Sequence, residues 1–88
     1  MICKLDAENI MDVDSLHEKI AKIMEFPEYY GKNLDALYDC LTDIDEETEL
    51  IIENAPYLNY NLGVYAGRFV ATLAEAEMMN PNFTLTIL

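Results

Sequence analysis

The chain is poor in positive charge. Only 5 of its 88 residues are lysine or arginine, against 17 aspartates and glutamates, for a formal net charge of −12 at pH 7. Affinity for nucleic acid comes largely from basic side chains that neutralise phosphates, so this balance argues against a nucleic-acid partner. It suits a basic protein partner, whose approach a negative field accelerates. Histidine is scarcer still. His17 is alone, and its place beside Leu16 and Ile20 leaves it half-buried or exposed, with no second nitrogen ligand for a metal. Cys3 and Cys40 are too few for a disulfide scaffold, form no CxxC, and are not prepared by the sequence to meet His17 as a nucleophilic pair. An enzyme needs a general base, a nucleophile or a metal constellation. None is evident, so neither catalysis nor a cofactor is expected. No segment approaches the ~20 apolar residues of a membrane span. The opening MICKLDAENIMD lacks the basic and apolar regions of a secretory signal. A cytoplasmic protein without a membrane partner is the expectation.

What is present points to a single globular domain over residues 1–88. Hydrophobic residues make up 52% of the chain, with six tyrosines and three phenylalanines. A chain of this length buries about two-thirds of its unfolded surface. Ile2 to Leu5 reads as a first strand. From Val13, apolar residues recur at Leu16, Ile20, Ile23 and Met24 with helical spacing, capped by Asp12 or Asp14 and ended before Pro27. A second helix runs from about Asn33 to Thr42. Asp43 to Glu49, DIDEETE, reads as an acidic connector; it lacks the glycine and terminal glutamate of an EF-hand loop. Leu50-Ile51-Ile52 is apolar on both faces, the pattern of a central parallel strand covered on both sides. Asn54 to Tyr60 holds a short helical turn, with Asn54 as cap and Pro56 in the first turn. Leu62, Tyr65, Ala66, Phe69, Val70 and Leu73 mark a longer helix that stops before Asn80, and Phe83, Leu85 and Ile87 alternate with threonines as a last strand. Strands separated by helices imply parallel pairing with right-handed crossovers. The expected fold class is α/β, a three-stranded parallel sheet packed with about four helices.

The second helix carries the functional signal. Leu34, Leu37 and Leu41 have the spacing of a buried face, while Asp35, Tyr38, Asp39 and Thr42 recur on the other. Carboxylates one turn apart repel by about 0.2–0.5 kcal/mol. Asp35 suits the positive end of the helix dipole, but Asp39 lies too far along for that. A self-repelling stripe is better suited to a cationic partner than to an isolated fold. Before it stand Tyr29, an aromatic able to lie over a partner, Tyr30, expected to face the core, and Gly31, expected to form the turn. Cys40 is expected to behave as a small core residue.

The stretch PEYYGKNLDALYDCLT, Pro27 to Thr42, resembles the barstar family of intracellular ribonuclease inhibitors. It departs from the family pattern at Lys32 and Tyr38. Tyr38 stands where the family's namesake has tryptophan, and Asp43 and Ile44 where it has glycine and tryptophan. The resemblance implies a non-enzymatic protein whose carboxylates plug a ribonuclease active site in place of substrate phosphates. It implies partner-binding roles for Tyr29, Gly31, Asn33, Asp35, Tyr38, Asp39 and Thr42, and, with a one-residue shift in alignment, for Glu75 on the last long helix. The partner implied is a basic secreted ribonuclease, bound by a chain that is a monomer when free. A binding or immunity module of the same fold, directed at a different toxin or basic protein, is the alternative.

Overall fold

Alternation of buried and exposed residues builds the sheet. The computed structural model describes residues Met1–Leu88, and its first strand, β1 (Ile2–Asp6), buries Cys3 and Leu5 while exposing Ile2 and Lys4. A 3-10 turn at Ala7–Asn9 follows. β2 (Thr48–Glu53) lies between β1 and β3 (Phe83–Ile87), and both pairings are parallel. Cys3, Leu50 and Leu85 stand abreast, and so do Leu5, Ile52 and Ile87.

The helices are α1 (Val13–Ile23), α2 (Leu34–Thr42), α3 (Pro56–Leu62) and α4 (Val64–Met79). Three parallel strands and four helices agree with the expected architecture. The sheet, however, is not covered equally on both sides. Along β2, Thr48, Leu50 and Ile52 are fully buried, whereas Glu49, Ile51 and Glu53 are only partly so. The apolar Leu-Ile-Ile run therefore belongs to a strand with one core face and one half-open face. β2 also begins within the expected acidic connector, at Thr48, whose hydroxyl is drawn in by donating to the Glu46 carbonyl at 3.0 Å.

Helix ends follow local chemistry. Asp12 caps α1 through a reciprocal box, accepting from the Ser15 amide at 2.7 Å while its own amide donates to Ser15 Oγ at 3.4 Å. Asn33 caps α2, its Oδ1 accepting from the Ala36 amide at 2.8 Å. Asn54 does not cap α3. It sits outside the helix at φ 57° and donates from Nδ2 to Asp6 Oδ1 at 2.9 Å, so it ties the end of β2 to the end of β1 instead. Gly63, at φ 58° and ψ −133°, separates α3 from α4 in a conformation that side-chain-bearing residues avoid.

The core contains Leu16 and Ile20 of α1, Leu37 and Leu41 of α2, Phe69, Leu73 and Ala76 of α4, and the inner face of the sheet. Leu37 and Leu41 are fully buried, each contributing about 1.5–3 kcal/mol, well above the repulsion between the carboxylates of α2. Leu34, expected on the same face, is only partly buried. No helix is long and apolar enough to cross a membrane.

Candidate functional site

Two buried polar devices hold α2 and the segment before it in place. The first is at the end of the helix. Asn80, only 5% exposed, donates from Nδ2 to the carbonyls of Leu41 at 2.9 Å and Ile44 at 3.0 Å. The last turn of α2, which has no basic side chain, is thereby tied to the junction of α4 and β3. The second device lies under the entering segment. His17 is fully buried, not half-buried or exposed, because α1 turns it into the interior between two tyrosines. Its Nδ1 is 2.6 Å from the Tyr30 hydroxyl and its Nε2 is 2.7 Å from that of Tyr65. A neutral imidazole donates from one nitrogen and accepts at the other, so one tyrosine accepts and the other donates. Burial lowers the His17 pKa, opposed by the nearby Asp14 carboxylate. Burial likewise raises the pKa of Tyr30 and of Tyr65. The three side chains thus link α1, the 24–33 segment and α4 through uncharged groups.

Tyr30 faces the core at 7% exposure, packed on Phe26 with ring centroids 5.0 Å apart, and this turns its neighbour Tyr29 outward, 87% exposed. The left-handed residue of the following turn is Lys32, at φ 54°, not Gly31. Gly31 has a different role. A Cβ there would stand 3.3 Å from Ala36 Cβ and 3.5 Å from Asn33 Nδ2, so its absence lets the loop close onto the first turn of α2.

Asp39 forms the crest between two open depressions. One, of about 320 Å³, lies between α2 and α4 and is lined by Leu34, Asp35, Tyr38, Asp39, Thr72 and Glu75. The other, of about 300 Å³, lies on the opposite side of the helix. Met24, Glu25, Phe26, Pro27, Tyr29, Asp39, Cys40, Asp43 and Ile44 line it. The structure therefore gathers Asp35, Tyr38, Asp39 and Glu75 in one groove, with Tyr29 across the crest. Asn33 and Thr42 are placed differently. Asn33 is the helix cap, and Thr42 donates its hydroxyl to the Tyr38 carbonyl at 2.9 Å and that of Asp39 at 3.2 Å.

No cation compensates these carboxylates. The one ion pair in the protein joins Lys32 to Glu18 at 3.9 Å, so Asp35, Asp39 and Glu75 have none. Cys40 registers the resulting field. It is half-buried at the rim of the second depression, not a fully enclosed core residue, and its thiol pKa is raised by burial and then by Asp39 and Asp43. No group of three or more histidine, cysteine, aspartate or glutamate side chains is arranged to hold a metal ion. An open, acidic, aromatic-flanked ridge of this kind can receive guanidinium or ammonium groups through charge-assisted hydrogen bonds.

Sequence reasoning missed Thr72 as the neighbour of Asp35 and Asp39, although its three-residue spacing from Glu75 placed both on one face of α4. It also missed the wall formed by Met24, Phe26 and Pro27, and the clamp at Asn80. These depend on contacts between elements distant in the chain, and the only local signal was the polar Asn80-Pro81-Asn82 punctuation.

A sequence model of the family described as Barstar (barnase inhibitor) matches residues 1–87. A protein of Bacillus subtilis (strain 168) described as "Putative ribonuclease inhibitor YrdF" is 36% identical over 85 residues, spanning 94% of this chain and 93% of its own.

Proposed function

The chain belongs to the barstar family of barnase inhibitors, and from that premise we propose that it is a stoichiometric inhibitor that occupies the active site of a basic, barnase-like ribonuclease. The observation that carries this reading is the uncompensated crest of Asp39, with Asp35 and Glu75 in the groove beside it. A ribonuclease active site binds a phosphodiester and therefore presents cationic and hydrogen-bonding groups. Asp39 offers these groups a carboxylate in place of phosphate, and Asp35 reinforces it. Tyr29 and Tyr38 flank the charges and exclude water, which strengthens the ionic contacts by lowering the local dielectric. Gly31 lets the partner approach the backbone, while Asn33 and Thr42 frame the two ends of the helix. Glu75 acts from the rim, where a charge changes association rate and salt dependence more than dissociation.

The inhibitor is non-catalytic and acts where the nuclease is made, protecting the cell before secretion. Asp43 and Ile44 on the second depression adjust the fit to its own target. Titration of barnase, and of a second basic secreted ribonuclease, tests the reading by following RNA cleavage at two salt concentrations. Activity is expected to vanish at one equivalent for at least one nuclease, with weaker inhibition at higher salt. Undiminished cleavage by both would overturn the assignment of a ribonuclease active site as target.

A further inference from the structure

The five cations of this acidic chain are not evenly spread. Lys4, Lys19 and Lys22 line one crevice of about 380 Å³ between β1 and α1, together with Leu5, Asp6 and Asn9. All three lysines are exposed, and none is in an ion pair. Asp6 is the one carboxylate in the crevice and offsets only part of the charge of three lysines. Its oxygens accept from the Glu8 amide at 3.0 Å, Asn9 Nδ2 at 3.3 Å and Asn54 Nδ2 at 2.9 Å, and it forms no ion pair with any of the lysines. The crevice shares no residue with the acidic groove.

The two edges of the sheet also differ. On β3, the outward amide of Leu85 is satisfied by Glu77 Oε2 at 2.7 Å, and that of Phe83 by the Asn80 carbonyl at 3.0 Å. β1 has no such cover. The Glu49 amide donates to the Met1 carbonyl at 2.8 Å, and Glu49 stands opposite Ile2. In a parallel ladder this phase directs the backbone groups of Ile2 and Lys4 away from β2, to the open edge. A single lysine on an edge strand is a common guard against self-pairing. Here two further lysines from α1 stand over the same edge, where they repel a second β1 but attract an acidic strand.

We propose that the β1 edge and the Lys4–Lys19–Lys22 crevice form a second docking surface, which takes an extended acidic segment of a protein partner by strand addition. The main chain of the segment pairs with the free groups of Ile2 and Lys4, and its carboxylates meet the lysines on either side of the edge. An extended peptide fits better than nucleic acid, because the free amides and carbonyls of Ile2 and Lys4 are matched by the main chain of an added strand, which a nucleotide backbone does not supply.

The test uses the full-length protein labelled with nitrogen-15 and a short synthetic peptide of alternating glutamate and valine. Saturable shifts of the Ile2, Lys4, Lys19 and Lys22 amides are expected, with slowed hydrogen exchange at Ile2 and Lys4. The double variant Lys19→Glu, Lys22→Glu should bind at least about tenfold more weakly while still inhibiting ribonuclease as the parent does, since neither residue belongs to the acidic site. A peptide with glutamine in place of glutamate should bind more weakly as well. Absence of shifts at the edge overturns the proposal. It is also overturned if a short RNA shifts the same amides when the peptide does not, or if they shift with protein concentration alone. Failure of ribonuclease inhibition would leave this result untouched, so the two readings fail separately.

Discussion

Helices α1 and α2 have similar buried faces but opposite treatment of charge. In α1 every end effect favours the fold: a reciprocal cap from Asp12 and Ser15, Asp14 in the first turn and Lys22 in the last. These complement the helix macrodipole. In α2 only the beginning is arranged that way, with Asn33 as cap and Asp35 in the first turn. Its later turns carry Asp39 and the C-cap Asp43 at the negative end of the dipole, with no basic residue to offset them. The helix tolerates this because Leu37 and Leu41 are fully buried and Asn80 holds its last carbonyls. One helix is optimised for stability; the other places charge where a partner can use it and relies on its neighbours to stay folded.

The strongest way to break the comparison is at Asp39. Asp39→Ala should weaken ribonuclease binding by about 3–5 kcal/mol, since it leaves a desolvated cation in the complex without its partner. The loss should appear chiefly as faster dissociation in stopped-flow or surface-based kinetics. Stability in urea should change by no more than about 0.5 kcal/mol. A large loss of stability would assign Asp39 to the fold and erase the contrast with α1.

Next in size is the support under the site. His17→Leu should destabilise the protein by about 1–3 kcal/mol in urea at pH 7, because it leaves the buried Tyr30 hydroxyl without its partner. The parent should also lose stability as pH falls. His17 has a lowered pKa in the fold, so the unfolded chain takes up the proton first, from about pH 6.5 downward. The contribution of neutral His17 is therefore complete above that value and declines from there toward the lower pKa of the folded state. His17→Leu should flatten this part of the profile, and an unchanged slope between pH 7 and 5 would remove His17 as its source.

Smaller effects sharpen the contrast between the helices. Asp12→Ala should cost about 0.5–2 kcal/mol of stability through loss of the cap, with ribonuclease inhibition unaltered. Asp43→Lys should act in the opposite sense. It places a cation at the end of α2 and should stabilise the fold by about 0.3–1 kcal/mol, while slowing association, most visibly at low salt. Denaturation midpoints and association rates measured on the same preparations would check both.

Much of this contrast was legible in the sequence. The cap at Asn33, the leucine face of α2 and the acidic stripe all follow from residues within one or two turns of each other, where periodicity is informative. The parallel order of strands followed from the alternation of strands and helices. What was not legible depended on tertiary contacts. His17 sat beside an apolar face, but only the hydroxyls of Tyr30 and Tyr65 make its complete burial tolerable. Asn54 looked like a cap because its spacing to Pro56 suits one, yet Asp6 across the sheet competes for its side chain. Leu50-Ile51-Ile52 read as covered on both sides, and a run of three residues could not reveal that the second face is half-open. Gly31 was expected to form the turn, but the left-handed residue is Lys32, and what distinguishes Gly31 is its tight approach to Ala36, a contact between residues that turn chemistry alone does not reveal.

The most direct test of the central claim is to measure unfolding and ribonuclease inhibition together on the double variant Asp35→Asn, Asp39→Asn. Removing both charges without changing side-chain shape should leave stability in urea within about 0.5 kcal/mol of the parent, the dipole stabilisation lost at Asp35 being offset by relief of its repulsion with Asp39, while inhibition of the target nuclease is lost. A midpoint that falls with the inhibition intact would contradict the account, because the carboxylates of α2 would then serve the fold and not the partner.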